Sequence, residues 1–253
     1  MSKPSRFNNF IVYDIETDIS ERGFEHLSKA EYKPDPKLAD LDSPPKTITN
    51  LKNEATREMR LSHWRVTQKK KIADSIEAAK MKALDRAALY WWYGKIVSVS
   101  LYCCATGEHD TFYGPNEKSI LVKVGHFFKS HAGTGTALCG KHSKTFDDPY
   151  MIGRYMAHDL GVPEILKRGN RILGHGAPVD IEWIFGPHRH DLTPSLDKIA
   201  FGLGLDQKLA KGSEVAAMVR EGRWQELKEY NEQDVVITAE CLRRFLKDFS
   251  AAD

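Results

Sequence analysis

Apolar and polar positions in this chain follow two periods, and the places where each holds mark out the elements. Residues 8–16, NNFIVYDIE, form a short run of β-branched and aromatic side chains that predicts a strand. KIVSVSLYC at 95–103 predicts a second, and EHDTFYG at 108–114 a third that folds back on it across the turn ATG. Helical spacing returns over 116–131, and TALCGKH at 136–142 reads as another strand. A helix should begin near Asp148-Pro149, since Pro suits the first helical position and Asp the cap before it. Residues 195–205 and 212–223 read as short helices, and a long one over about 224–248 closes the chain.

Between the first two strands the pattern changes. Residues 20–50 are polar and include KPDPKLADLDSPPKT, which predicts an extended excursion. Residues 51–90 take helical spacing with few breakers. They hold ten Lys or Arg against five Asp or Glu, a net +5, while the whole chain carries +2. Basic character is therefore concentrated in one insertion of about 20–92 within a single domain. No internal repeat is present.

Composition narrows the class. A hydrophobic share of 41% supplies a core and a charged share of 28% a solvated surface, as in a globular protein. No apolar run reaches the 18 or so residues a membrane helix needs, so no membrane role is expected. The first ten residues, MSKPSRFNNF, contain no apolar signal core. Cys103, Cys104, Cys139 and Cys241 form no CxxC pair and sit among apolar or small neighbours. They read as reduced core thiols, so a soluble protein of the cytoplasm is expected.

Three acidic features carry the chemistry. Alternate residues of a strand share a face, so Asp14 and Glu16 point the same way as Phe10 and Val12. Two carboxylates on an apolar face repel each other and are costly to desolvate, and a divalent cation would relieve both penalties. A strand end reaching solvent would tolerate the same pair. In the last helix Leu227, Tyr230, Asp234, Ile237 and Cys241 recur at i, i+3 and i+4, which sets Asp234 in an apolar stripe one turn after Tyr230. Such an acid needs a metal, an arginine or a strong donor. In GKHSKTFDDPY, Asp148 is assigned to the helix cap, which leaves Asp147 either as a further ligand or as an exposed loop acid. Carboxylates without a His/Cys cluster suit Mg²⁺ or Mn²⁺ rather than zinc, and two such ions about 3.5–4 Å apart are a standard device for displacement at phosphorus.

These motifs resemble a known family. DIET is similar to the first exonuclease motif of the DEDD superfamily. GKHSKTFDDPY resembles the second motif, G-x-N-x-x-x-F-D-x-P-Y, of the proofreading exonuclease of B-family DNA polymerases. YNEQD resembles the third, Y-x-x-x-D, of the tyrosine subclass; the histidine subclass places His where this chain has Glu229. SLDKIAFGLGLDQKLAKG and the Lys-rich excursion are similar to segments of small PolB-like predicted exonucleases. The likeness runs along nearly the whole chain, most strongly at 8–16, 95–160 and 178–248.

The resemblance implies an RNase H-like α/β fold, a mixed central sheet flanked by helices, and 3′→5′ exonuclease activity on single-stranded DNA or frayed 3′ ends, releasing nucleoside 5′-monophosphates. It implies two divalent cations, with Asp14 bridging both, Glu16 and Asp234 completing the water-activating site, and Asp147 serving the second. Tyr230 and Glu16 would orient the nucleophile. One departure stands out: His142 occupies the Asn position of the second motif, where it would contact the terminal nucleotide or serve as an ordinary strand-end residue. Phe146 would stack on the terminal base or pack in the core. Lys208 would contact a phosphate or stand as a solvated lysine. The aromatic run YWWYGK at 90–95 is expected mainly in the core. The net +5 of residues 51–90 leads us to expect the basic insertion to guide the strand backbone, with Lys69, Lys70 and Lys71, which cannot all face a core, among the contacts. A solvated helical face that only covers the sheet is the alternative. An RNA-processing exonuclease and a non-catalytic nucleic-acid-binding module are the alternatives, and retention of four acids and Tyr230 argues against the latter.

Overall fold

The computed structural model describes residues 6–38, 40–169, 179–186, 193–205 and 212–249. Five strands are present among them: β1 (Phe10–Ile19), β2 (Gly94–Cys103), β3 (His109–Tyr113), β4 (Ala137–Gly140) and β5 (Val179–Asp180). The helices are α1 (Glu21–Ser28), α2 (Lys46–Thr49), α3 (Glu54–Ala87), α4 (Glu117–His131), α5 (Asp147–Ala157), α6 (Glu164–Gly169), α7 (Ile181–Phe185), α8 (Leu196–Gly202), α9 (Val215–Glu221) and α10 (Trp224–Phe249). The strands form one mixed sheet in the order β3-β2-β1-β4-β5. β2 and β3 are antiparallel, with Ser98 opposite Tyr113 and Tyr102 opposite His109. β4 runs parallel to both β1 and β5.

The period of two along β1 decides what each face meets. Ile11, Tyr13 and Ile15 join Ile96, Val99 and Leu101 in a core closed by Leu121 and Val124 of α4, Met151 and Tyr155 of α5 and Leu166 of α6. Val12 turns the other way, into a second core with Cys139, Ile181, Ile199 and the α10 residues Val235, Cys241 and Leu242. Val97 continues that side with Val215, Met218, Leu227 and Tyr230. Leu227 and Leu242 are both fully buried, and each contributes roughly 1.5–3 kcal/mol to docking α10. All four cysteines are free and buried, as their neighbours implied.

A buried ion pair ties the first core together. Glu117, in the first turn of α4, accepts two hydrogen bonds from the Arg154 guanidinium, at 2.8 and 2.6 Å, and one from the Ile96 amide at 2.7 Å. His158 lies 2.6 Å from the same carboxylate, and Arg154 also donates to the Trp91 carbonyl at 3.0 Å. Trp91 packs so closely on Gly153 that a Cβ there would lie 2.4 Å from the indole. The YWWYG segment is nonetheless not in the core as expected: Tyr90, Trp91 and Trp92 are 39%, 37% and 53% exposed.

The chain divides into two compact units, residues 1–18 with 88–253 and residues 19–87. The second unit departs from the expected extended excursion. Ser20 caps α1 by accepting the Gly23 amide at 3.0 Å, and α2 forms a single short turn further on. Both pack on α3, whose 34 residues span about 50 Å at 1.5 Å per residue. Asp35 reaches across to the Ser75 hydroxyl at 2.7 Å. Lys69, Lys70 and Lys71 are all exposed on α3.

Candidate active site

β1 outruns its parallel neighbour. Pairing with β4 covers Phe10 to Val12, and β4 ends at Gly140, so Asp14 and Glu16 lie beyond the last paired residue. They keep the parity of Val12 and face α10. Asp234 meets them from the helix: one carboxylate oxygen from each of Asp14, Glu16 and Asp234 falls within 4.8 Å of the other two. Asp234 is 4% exposed and Tyr230 3%. Among the described residues this is the one group of three or more His, Cys, Asp or Glu side chains spaced to hold a metal ion.

Tyr230 lies among the same acids. Burial pushes its hydroxyl above the ordinary range, the charges of Glu16, Asp234 and Asp14 push it further, and its hydrogen bond is to Asp234. Burial and the neighbouring acids thus make the phenol hold its proton more tightly, and it donates to Asp234.

Asn231 completes the helical turn. Its amide nitrogen donates to Asp14 Oδ2 at 2.7 Å, and its amide oxygen accepts the Ser98 hydroxyl of β2 at 2.8 Å. Sequence reasoning missed both residues. The signal was the spacing: 231 is four beyond Leu227 and four before Val235, so it belongs to the same stripe, and its polarity concealed that.

Asp147 arrives on α5. It is buried rather than exposed on a loop, and its Oδ1 accepts the amide of Ile15, the residue between Asp14 and Glu16, at 3.1 Å. Burial raises its pKa well above the carboxylate range, with the charges of Asp14 and Asp148 adding to the effect. It neighbours the cluster without joining the three acids that close on one another.

The structure corrects the assignment of Asp148. The helix starts two residues earlier than Pro149, at Asp147, and Phe146 holds the cap position with no side-chain cap bond. Asp148 instead accepts the buried hydroxyl of Tyr13. Burial brings its pKa up to about 6 even though that hydrogen bond opposes the rise. Local Asp-Pro chemistry suggested a cap, but a partner 135 positions away in sequence takes the side chain.

Ahead of α5, the loop from Lys141 to Phe146 is tied to β5 and α7. Asp180 is buried; its carboxylate accepts the amides of His142 at 2.9 Å, Lys144 at 3.3 Å and Glu182 at 3.0 Å. Glu182 holds His142 Nδ1 at 2.8 Å and Lys141 at 3.4 Å. Burial alone would raise the Glu182 pKa, but the hydrogen bond from His142 and the charge of Lys141 carry it below the ordinary value. Lys144 sits over the Trp183 ring at 4.4 Å. His142 has φ 65, the left-handed region where Asn and His are both enriched. The backbone therefore accounts for His in a motif that otherwise carries Asn. Gly140 is required by packing, since a Cβ would lie 2.6 Å from that of Ser143. Phe146 is half-buried against the first core, 5.4 Å from the Tyr150 ring. Lys208 falls outside the described residues.

The fold is thus a mixed five-stranded sheet covered by helices, with two of the clustered acids on its central strand, past the stretch that β4 pairs. The chain superposes with a TM-score of 0.52 and 14% identity on the family B DNA polymerase from the hyperthermophilic archaeon Pyrobaculum calidifontis. The match covers 95% of this chain and 24% of that one, so this chain spans about a quarter of the polymerase. Residues 93–246 match the family described as predicted 3′-5′ exonuclease related to the exonuclease domain of PolB, and the chain belongs to that family. Asp14 and Glu16 lie before the matched residues, so their place in the site rests on the geometry above. No curated protein matches the chain. Among the described residues no helix is long and apolar enough to cross a membrane.

Proposed function

We propose that this 3′-5′ exonuclease is metal-dependent, removes nucleotides from the 3′ end of single-stranded DNA and releases nucleoside 5′-monophosphates. The observation that carries the reading is the closure of Asp14, Glu16 and Asp234 around one point beside the Tyr230 hydroxyl. Three carboxylates so close are a hard, all-oxygen donor set, which fits Mg²⁺ or Mn²⁺. Asp14, Glu16 and Asp234 would hold one ion, and Asp14 with Asp147 the second. Bound cations of this kind supply Lewis-acid activation of water and neutralise charge on the leaving group.

The chain's own residues do the rest. The Tyr230 proton is engaged by Asp234, so the hydroxyl oxygen would accept from the attacking water and, together with the Glu16 carboxylate, fix its line of approach. The Ile15 amide holds Asp147 against β1 and keeps the fourth acid in register. His142 and Phe146, at the start of α5, would receive the terminal nucleotide. Lys69, Lys70 and Lys71, exposed on α3, would take phosphates of the strand, and Lys208 is a candidate for the same task.

Single strands labelled at either end and blocked at the other test the reading. A 5′-blocked DNA strand should be shortened to mononucleotides, a 3′-blocked strand should persist, and chelation should stop the reaction until Mg²⁺ or Mn²⁺ is restored. Equal degradation of the 3′-blocked strand, or turnover in chelator, would overturn it. Faster digestion of RNA would reassign the substrate.

A further inference from the structure

The turn of α10 that carries Tyr230 and Asp234 also carries a side chain that nothing in the acid-and-tyrosine pattern requires. Asn231 is completely buried. A buried amide must satisfy both its ends, and here each end has a specific partner: Ser98 Oγ donates to Oδ1 at 2.8 Å, and Nδ2 donates to Asp14 Oδ2 at 2.7 Å. The Ser98 bond fixes which way the amide faces. Without it a half-turn would set the amide oxygen against the Asp14 carboxylate, oxygen against oxygen.

We propose that Asn231, oriented by Ser98, is the positioning residue that aims the Asp14 carboxylate at the divalent metal site. The chemistry favours Asn over the alternatives. A lysine or arginine would satisfy Asp14 with a positive charge that competes with the cation, and an acid would add to the repulsion. An amide supplies one directed donor and no charge. The relay crosses three elements, β2 to α10 to β1, so it also couples the helix angle to the ligand's orientation. Hydrogen-bond partners of this kind typically affect metal affinity by about 10–100-fold.

The proposal rests on the reading of Asp14 as a ligand, and the test separates the two. Mn²⁺ alone is titrated and its binding read by electron paramagnetic resonance, with thermal melting in chelator as the measure of folding. Wild type should bind Mn²⁺ and Asp14→Asn should not; if wild type fails to bind, or Asp14→Asn binds equally, the ligand reading falls and the proposal with it. Given those controls, Asn231→Leu should bind Mn²⁺ about 10–100-fold more weakly. That variant also strands the Ser98 hydroxyl and is expected to lose stability. The double variant Ser98→Ala/Asn231→Leu removes both polar partners, so the melting temperature should recover while the weak Mn²⁺ binding persists. Recovery of Mn²⁺ affinity along with stability would show a purely structural residue and overturn the proposal.

Discussion

Replacing Asp234 with Asn should make the metal-free protein more stable while abolishing hydrolysis. Asp14, Glu16 and Asp234 bring carboxylate oxygens within 4.8 Å of each other. At an effective dielectric of about 20, two charges at that separation repel by about 3 kcal/mol. Neutralising Asp234 removes two such repulsions. Asp14 and Glu16 are half-buried rather than enclosed, so water screens much of the effect and about 1–3 kcal/mol remains. The Asn oxygen can still accept the Tyr230 hydroxyl, so that hydrogen bond survives. For a chain of 253 residues, about 2–4 °C per kcal/mol places the variant about 2–12 °C above wild type in chelator.

Metal should reverse the order. A ligand that binds only the folded state adds about 2.7 kcal/mol at a hundredfold excess over Kd, and only wild type holds the full ligand set to collect it. Differential scanning calorimetry in chelator and in excess Mn²⁺, with a single-strand digestion on the same samples, reads both effects. A metal-free variant melting at or below wild type would refute the repulsion argument. Wild-type turnover in the variant would refute the assignment of Asp234.

Tyr230→Phe should keep Mn²⁺ binding and slow turnover about 10–10³-fold, the cost of one misplaced hydrogen bond at the reacting water; unchanged kinetics would return Tyr230 to the core. Asp147→Asn should lose most activity, whereas Asp148→Ala should cost about 1–3 kcal/mol by stranding the Tyr13 hydroxyl and stay active when folded. The reverse pair of phenotypes in digestion and melting would exchange the two acids. Glu117→Gln should cost about 3–5 kcal/mol by leaving Arg154 without its buried partner. Burial alone would raise the Glu117 pKa, but Arg154, Ile96 and His158 together hold it below 4.5. Its stabilisation is thus complete above that value and lost as pH falls through the folded pKa, so denaturant melts of the Gln variant should lack that share of the acid slope. Changing Lys69, Lys70 and Lys71 to Glu should raise KM with kcat kept, and flatten the log–log salt dependence of single-strand binding by about 0.7 per lost phosphate contact; an unaltered slope would make the basic face merely solvated.

Long periodic elements were legible in the sequence, and elements defined by distant partners were not. The stripe of α10 and the parity of β1 follow from spacing alone, whereas the expectation that Asp14, Glu16 and Asp234 share one site came from the resemblance of the motifs to an exonuclease family. β5 is two residues long, too short for any period, so the Asp180 clamp on the loop before α5 left no trace. α1 hid in a polar stretch because its stop and start signals, not its apolar content, define it. Asp148 shows the opposite failure: a correct local rule for Asp before Pro was overridden by a buried tyrosine from β1. Asn231 was passed over because stripes are read by apolarity, while the buried face of α10 also includes Asn231 and Thr238.

The geometry of α10 explains why three functional side chains can share so little sequence. One residue of slip rotates an α-helix by about 100° and advances it by 1.5 Å. Such a slip would put Val235 where Asp234 meets β1 and turn Tyr230 out of the acid cluster. Apolar packing by Leu227 below the site and Val235 and Leu242 above it sets the angle to within a side chain's width, but it cannot tell a few degrees of rotation apart. The two directed bonds can, because a hydrogen bond weakens steeply as it bends. Asn231 grips Asp14 on β1 and Ser98 on β2, while Tyr230 holds Asp234 within the helix itself. Packing therefore brings the acids to the same place, and the amide relay fixes the direction in which one of them points.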